Sequence, residues 1–210
     1  MMQATMRAPR WMSEPVAAIA PRFLGSVLRS NLGGEIVAVR ITEVEAYAGE
    51  GEDPGSHAFR GRGKRNATMF GPPGRAYIYF TYGMHWCSNV VTGPEGSASA
   101  VLLRAGEVIE GVEAARERRP SARADRDLAR GPARLSLALG LTGEYDGCAL
   151  FDPASPVRLA LPQRPLAVHA VTPRTGVGGA GAATAWRFIC DHPTVSPYRA
   201  AARRRPTRSP

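Results

Sequence analysis

Lysine is almost missing from this chain: Lys64 is the only one, although lysine and arginine together number 27. Chemistry that needs a side-chain amine, such as Schiff-base formation, therefore has a single candidate residue. Cysteine is scarce and odd in number. Cys87, Cys148 and Cys190 lie far apart, and no Cys or His pair has metal-ligand spacing, so the sequence carries neither a disulfide framework nor a zinc motif. Reduced thiols, no metal and no cofactor are the expectation. No apolar run is long enough to span a bilayer, and residues 1–11 lack the apolar stretch of a signal peptide. A protein with no membrane association, in the cytoplasm, follows from that reading. No internal repeat is present.

Positive charge is what the chain has in excess, +9 over 210 residues. Two readings of it stand. Clustered cations neutralise phosphates well, which points to nucleic acid. Abundant Arg, Ala, Gly and Pro also fit a coding bias that leaves a basic but idle surface, and Arg203, Arg204, Arg205 and Arg208 belong to a tail. The length fits one domain with its own core. We read residues 1–12 as a flexible arm, 13–198 as the domain and 199–210 as a disordered Arg-rich tail.

The chain is organised around residues 35–47, an apolar, β-branched run that follows the Gly33-Gly34 turn and stops in Glu43, Glu45 and Tyr47. With strand period two, Val37, Val39, Ile41, Glu43, Glu45 and Tyr47 share one face unless a bulge intervenes. Glu45 is then fixed at the edge of a core beside an aromatic ring, where burial raises a carboxylate's pKa and fixes its direction, as a general base requires. The plain alternative is a strand end turning into solvent, where acids are ordinary.

Around this strand the order is a helix starting at Ser13-Glu14-Pro15 and broken near Pro21, a strand over 26–32, and a long surface loop over 48–68. That loop carries His57 and the basic run Arg60, Arg62, Lys64 and Arg65. Residues 77–91 read as a hairpin with Gly83 at its tip. Tyr82 and Met84 flank that tip either as an exposed wedge for a base stack or folded back onto the domain. A buried strand over 99–105 ends near Arg104, which needs an acid, with Glu45 the candidate, or a ligand. Helices are expected over 107–118 and from Gly131-Pro132 to Gly140, short strands between turns over 141–172, and a last core strand over 186–189. The glycine-rich run 176–181 lacks the strand-turn-helix setting of a phosphate loop.

The segments ITEVEAY (41–47), RNATMFGPPGRAYIYFTYGMHWCSN (65–89), VLLRAGEVIEG (101–111) and LARGPARL (128–135) resemble the alkyladenine (3-methyladenine) DNA glycosylase family of base-excision repair. The resemblance runs in order from about Ser13 to Tyr198. It implies an α+β fold: a single domain with a curved, mainly antiparallel sheet, flanking helices and a protruding DNA-intercalating hairpin. It also implies that Glu45 activates the water that attacks C1′ and that Arg104 helps hold that water. Tyr47, His57 and Tyr79 would sandwich the flipped base, Asn89 would obstruct the exocyclic amine of normal guanine, Tyr82 would enter the duplex gap, and Met84 would lie against the minor groove. The partner implied is double-stranded DNA with damaged purines, alkylated or deaminated, met by a monomer that is nucleoid-associated if bacterial. With one lysine, the expected enzyme is monofunctional and leaves an intact abasic site. Two rivals remain on residues alone. Glu43 and Glu45, with α-carbons about 6.5–7 Å apart along a strand, could form the acid pair of a glycoside hydrolase. The aromatics and arginines would also suffice for a nucleic-acid-binding domain without chemistry.

Overall fold

Gly33 and Gly34 both take positive φ (64° and 85°), a conformation that glycine enters without steric cost, and they reverse the chain between β1 (Val27–Leu32) and β2 (Glu35–Tyr47). The structure is a computed structural model that describes residues 7–201. Further along lie β3 (Ala76–Thr81), β4 (His85–Thr92), β5 (Ser99–Glu110), β6 (Val157–Ala160), β7 (Ala170–Thr172) and β8 (Arg187–Ile189). All pair antiparallel in one sheet of order β3-β4-β5-β2-β1-β6. Where β1 stops, β8 takes over the same edge of β2, pairing Glu43 with Ile189 and Glu45 with Arg187, and β7 lies outside β8. Three short helices complete the single α+β domain: α1 (Val16–Ile19), α2 (Val112–Arg118) and α3 (Pro132–Ala138).

The main core packs helices and N-terminal segments on one sheet face. Leu28, Val37, Val39, Ile41, Val90, Val101 and Leu103 from the strands meet Met12, Phe23, Ala115, Leu135 and Leu139. Full burial of such aliphatic side chains contributes about 1.5–3 kcal/mol each. The opposite face holds a small cluster of Ala58, Met69, Tyr77, Val91, Ala98 and Ala100 beneath the 48–70 segment, and beside it a cavity.

Several elements differ from the sequence reading. The uniform alternation along β2 fails: the register with β5 shifts on both sides of Glu43, so Thr42 and Arg104 fall out of the pairing. Before this bulge Val37, Val39 and Ile41 face the core; after it Val44, Ala46 and Ala48 do. Glu43, Glu45 and Tyr47 therefore point to the face opposite the apolar row instead of continuing it. The helix expected from residue 107 starts at Val112, because Glu107 and Val108 are still paired with Arg40 and Val39. Gly111, at φ 74°, makes the turn, and a Cβ there would lie 1.9 Å from the Ile36 carbonyl oxygen. Residues 141–172 hold β6, β7 and one turn of 3-10 helix (Gly143–Tyr145), and are otherwise turns and irregular chain. The 48–68 loop is not wholly at the surface, since Asp53 and Ala58 are buried. Within the expected arm, Met12 is fully buried and Trp11 meets Phe23 edge-on at 5.7 Å. Residues 1–6 and the arginines at 203, 204, 205 and 208 lie outside the described residues.

Candidate active site

The bulge delivers Glu45 to the sheet face that carries the cavity, and neighbouring strands and loops supply its partners. Glu45 is 0% exposed. Its Oε2 accepts from the Tyr47 hydroxyl at 2.8 Å and from Arg104 Nη1 at 3.3 Å, and Oε1 accepts from the Thr175 backbone N–H at 2.7 Å. All three partners are donors, an arrangement that suits a carboxylate anion. Burial pushes the Glu45 pKa up from its usual range, against the pull of Arg104, the Thr175 N–H and Tyr47, with Glu43 adding to the rise. Burial, and then the Glu45 charge, hold the Tyr47 phenol well above its usual value, so it stays a donor.

Glu43, also fully buried, is in a different state. Its Oε1 accepts from Arg104 Nε at 2.8 Å, Arg187 Nε at 2.6 Å and Ser196 Oγ at 3.0 Å, while Oε2 accepts from the Ser196 N–H at 2.7 Å. Held between two arginines and with its hydrogen-bonding capacity filled, it is a counter-ion. The pairing of Glu43 with Glu45 as an acid and base therefore fails on geometry. Arg104 bridges the two carboxylates, and although burial works to lower its pKa, Glu45 and Glu43 hold it above the ordinary arginine range.

Tyr47, Arg104 and Thr175, the three groups that bond Glu45, line a cavity of about 340 Å³, and Glu45 lies behind them, outside the lining itself. His57, Tyr77, Tyr79, Tyr82, Cys87, Asn89 and Leu102 line it as well. His57 meets Tyr79 edge-on at 4.5 Å, and its Nδ1 is 3.0 Å from the Tyr77 hydroxyl. One side of its ring is open to solvent, yet the protein packed around the rest, with the Arg65 charge, lowers its pKa to about 4, so the imidazole is neutral at neutral pH. Asn89 is buried, and its Nδ2 donates to the Tyr77 carbonyl at 2.9 Å, which fixes the amide plane beside the cavity.

The tip of the β3–β4 hairpin is exposed, while its strands are built into the sheet. Tyr82 is 84% exposed and Met84 67%. Tyr82 has φ 51°, the only positive φ outside glycine among the described residues. Such a conformation in a bulky residue is strained and persists where the surroundings impose it. Beside the hairpin, Arg65 donates to the Phe80 carbonyl at 3.1 Å and lies over the Tyr79 ring. Arg60, Arg62 and Lys64 on the same loop are exposed.

The structure thus gathers Arg104, Tyr47, His57, Tyr79, Asn89 and Tyr82 around one cavity, with Glu45 buried behind Tyr47, Arg104 and Thr175 and Met84 on the adjoining tip, neither of them in its lining. Sequence reasoning missed the opposite wall, Thr175, Gly176, Val177 and Gly178, which belongs in part to the glycine-rich run read as having no phosphate-loop setting. It also missed Arg187 and Ser196. The signal for Arg187 was available: an arginine between Trp186 and Phe188 in a core strand demands an acid, the same argument that singled out Arg104. No group of three or more His, Cys, Asp or Glu among the described residues is placed to hold a metal ion, and no helix there is long and apolar enough to cross a membrane.

Residues 10–194 match the family model described as Methylpurine-DNA glycosylase (MPG). Relatives from several bacteria carry the name "Putative 3-methyladenine DNA glycosylase". The one from Streptomyces avermitilis is 52% identical over 211 residues, 98% of this chain and 99% of its own. Those from Leifsonia xyli subsp. xyli and Nocardia farcinica are 56% and 54% identical, each over 86% of this chain and over 87% and 85% of their own.

Proposed function

Since the chain belongs to the methylpurine-DNA glycosylase family and is a DNA glycosylase, we propose that it takes alkylated purines out of duplex DNA into the cavity over Glu45 and hydrolyses their N-glycosidic bond without cutting the strand. The observation that carries this reading is the buried Glu45 carboxylate, held by three donors beneath an aromatic cavity. A base turned out of the helix stacks between Tyr47 on one side and His57 and Tyr79 on the other. Flipping costs a few kcal/mol, and stacking on an aromatic side chain returns roughly 1–3 kcal/mol per base, with Tyr82 filling the gap and Met84 covering the minor-groove side.

Glu45 accepts a proton from water as the water oxygen bonds to C1′. The C1′–N bond breaks with its electron pair going to the base, and Arg104 steadies the carboxylate through the charge movement. A 3-methyladenine or 7-methylguanine cation leaves as a neutral molecule and needs no acid. Hypoxanthine and ethenoadenine are neutral and gain from proton donation, which a histidine of pKa about 4 does not supply as imidazolium at neutral pH. The low His57 pKa thus supports a preference for cationic lesions. Asn89 bars guanine by meeting its exocyclic amine. The exposed Lys64 sits on the basic loop instead of in the cavity lining, which supports a monofunctional enzyme. One cavity acting on one base needs no second subunit, so the working form is a monomer.

The test is release of free purine from methylated duplex DNA, followed by alkali to reveal abasic sites. Wild type is expected to release base, and Glu45→Gln to lose about 10²–10⁴-fold in single-turnover rate while still binding DNA. Binding by both with release by neither would make the chain a binding module. Borohydride trapping of a protein–DNA adduct would contradict the monofunctional reading.

A further inference from the structure

One fully buried ion pair has no part in the reaction just described. Arg174 Nη1 and Nη2 donate to Asp53 Oδ2 and Oδ1, the latter at 2.7 Å, and Nη1 also donates to the Ala46 carbonyl at 2.9 Å. The Arg174 guanidinium lies over Tyr47 at 4.6 Å and Trp186 at 5.4 Å from the ring centroids. Asp53 in turn accepts from the N–H groups of Ala48 at 3.2 Å and Gly55 at 2.9 Å, which shapes the loop leading to His57.

We propose that Asp53 and Arg174 are positioning residues: their two-pronged pair clasps the two irregular walls of the cavity together and so keeps the Thr175 amide on Glu45 and the Tyr47 ring in place for stacking. This rests on the glycosylase reading for its purpose, though not for its test. The connection is short. Thr175 follows Arg174 directly, so the side chain of one and the amide of the next are pinned to the same strand, at Ala46 and Glu45 respectively. The two walls have no spare room between them. A Cβ on Gly55 would stand 2.5 Å from Arg174 Nη2, and one on Gly181 would stand 2.7 Å from the Gly55 nitrogen. A buried ion pair generally returns no more stability than apolar side chains of the same volume, so stability alone does not account for charges here. A planar fork that fixes direction does.

Glu45 reports on the clasp. The groups that act on it are Arg104 from β5, Glu43 and Tyr47 from its own strand, Tyr79 from β3, Cys87 from β4, and Arg174 with the Thr175 N–H from the wall. Arg174→Lys keeps the positive charge and removes the fork. If positioning is its role, the Thr175 hydrogen bond loosens, and a bond that favours the charged form is weakened. The Glu45 carboxyl, followed by carbon-13 NMR titration in the intact protein, is then expected to move up on the order of one pKa unit. Single-turnover base release at neutral pH should fall about 10-fold or more through misalignment, and affinity for undamaged duplex should hold. A folded Arg174→Lys variant whose Glu45 titrates as in wild type overturns the proposal. Should that variant not fold, Asp53→Glu, which keeps the sign and lengthens the acid, asks the same question. A wild type that releases no base would defeat the glycosylase reading, and the titration would still judge the clasp.

Discussion

Glu43 and Glu45 sit two positions apart, and their partners give them different work. Glu43 balances Arg104 and Arg187 inside the protein, so Glu43→Gln leaves the buried Arg187 without a counter-charge and Arg104 with Glu45 alone, and is expected to cost about 3–5 kcal/mol in urea unfolding. Glu45→Gln should cost clearly less, because Arg104 keeps Glu43. Reversal of that order would mean the counter-ion assignment is wrong. The two perturbed groups of the site also fix a pH dependence. Glu45 titrates above its ordinary 4.5, so base release falls as pH drops through that raised value, and the acid limb should lie above 4.5. His57 has a folded pKa of about 4 against 6.5 unfolded. Between those values the unfolded chain binds the extra proton, so its contribution to stability is present above pH 6.5 and is lost progressively as pH falls toward 4. His57→Gln should flatten the fall in unfolding free energy between pH 7 and 5. At this scale the sequence was readable wherever a residue was chemically out of place, as with Arg104 between apolar neighbours. It was unreadable where a partner lay far along the chain, as Ser196 does from Glu43 at 153 residues.

Among elements, the hairpin and β2 were legible because turn glycines bracket them and β-branched residues fill them. The bulge at Thr42 and Glu43 was not, because it is set by the register of β5, which the residues of β2 do not encode. The end of β5 was misread for a similar reason: Glu107 and Glu110 suit a helix, but a cross-strand pair with Arg40 at 3.3 Å and the ladder to Ala38 extend the strand. The hairpin tip carries its own prediction. Tyr82→Gly relieves a left-handed backbone that an aromatic residue occupies at a cost, so thermal stability should hold or rise slightly. Release of base from duplex DNA should nevertheless fall sharply in that variant. A parallel loss of stability would show the Tyr82 ring to be part of the domain's packing instead of a probe reaching outward.

For the whole molecule, the net charge of +9 has exposed contributors on more than one segment of the domain. Arg60, Arg62 and Lys64 are exposed on the 48–68 loop, and Arg130, Arg134 and Arg199 line a groove that shares Arg104, Pro132 and Thr175 with the cavity. Reversing Arg60 and Lys64 to Glu should weaken binding to damaged and undamaged duplex alike and reduce the slope of log K against log salt by about 0.9 for each phosphate that is no longer neutralised. A variant that discriminates between the two DNAs would place those residues in lesion recognition.

The sheet order also sets a timetable for synthesis. β2 emerges early from the ribosome, yet its far half waits for β8, and Glu43 waits for Arg187 and Ser196, 144 and 153 residues behind it. The Thr175 amide arrives 130 residues after Glu45. A nascent chain stopped before these segments has Tyr47 and Arg104 for its carboxylates but lacks the Thr175 amide, Arg187 and Ser196. The full set of contacts around both carboxylates is therefore assembled only once residue 196 has been made.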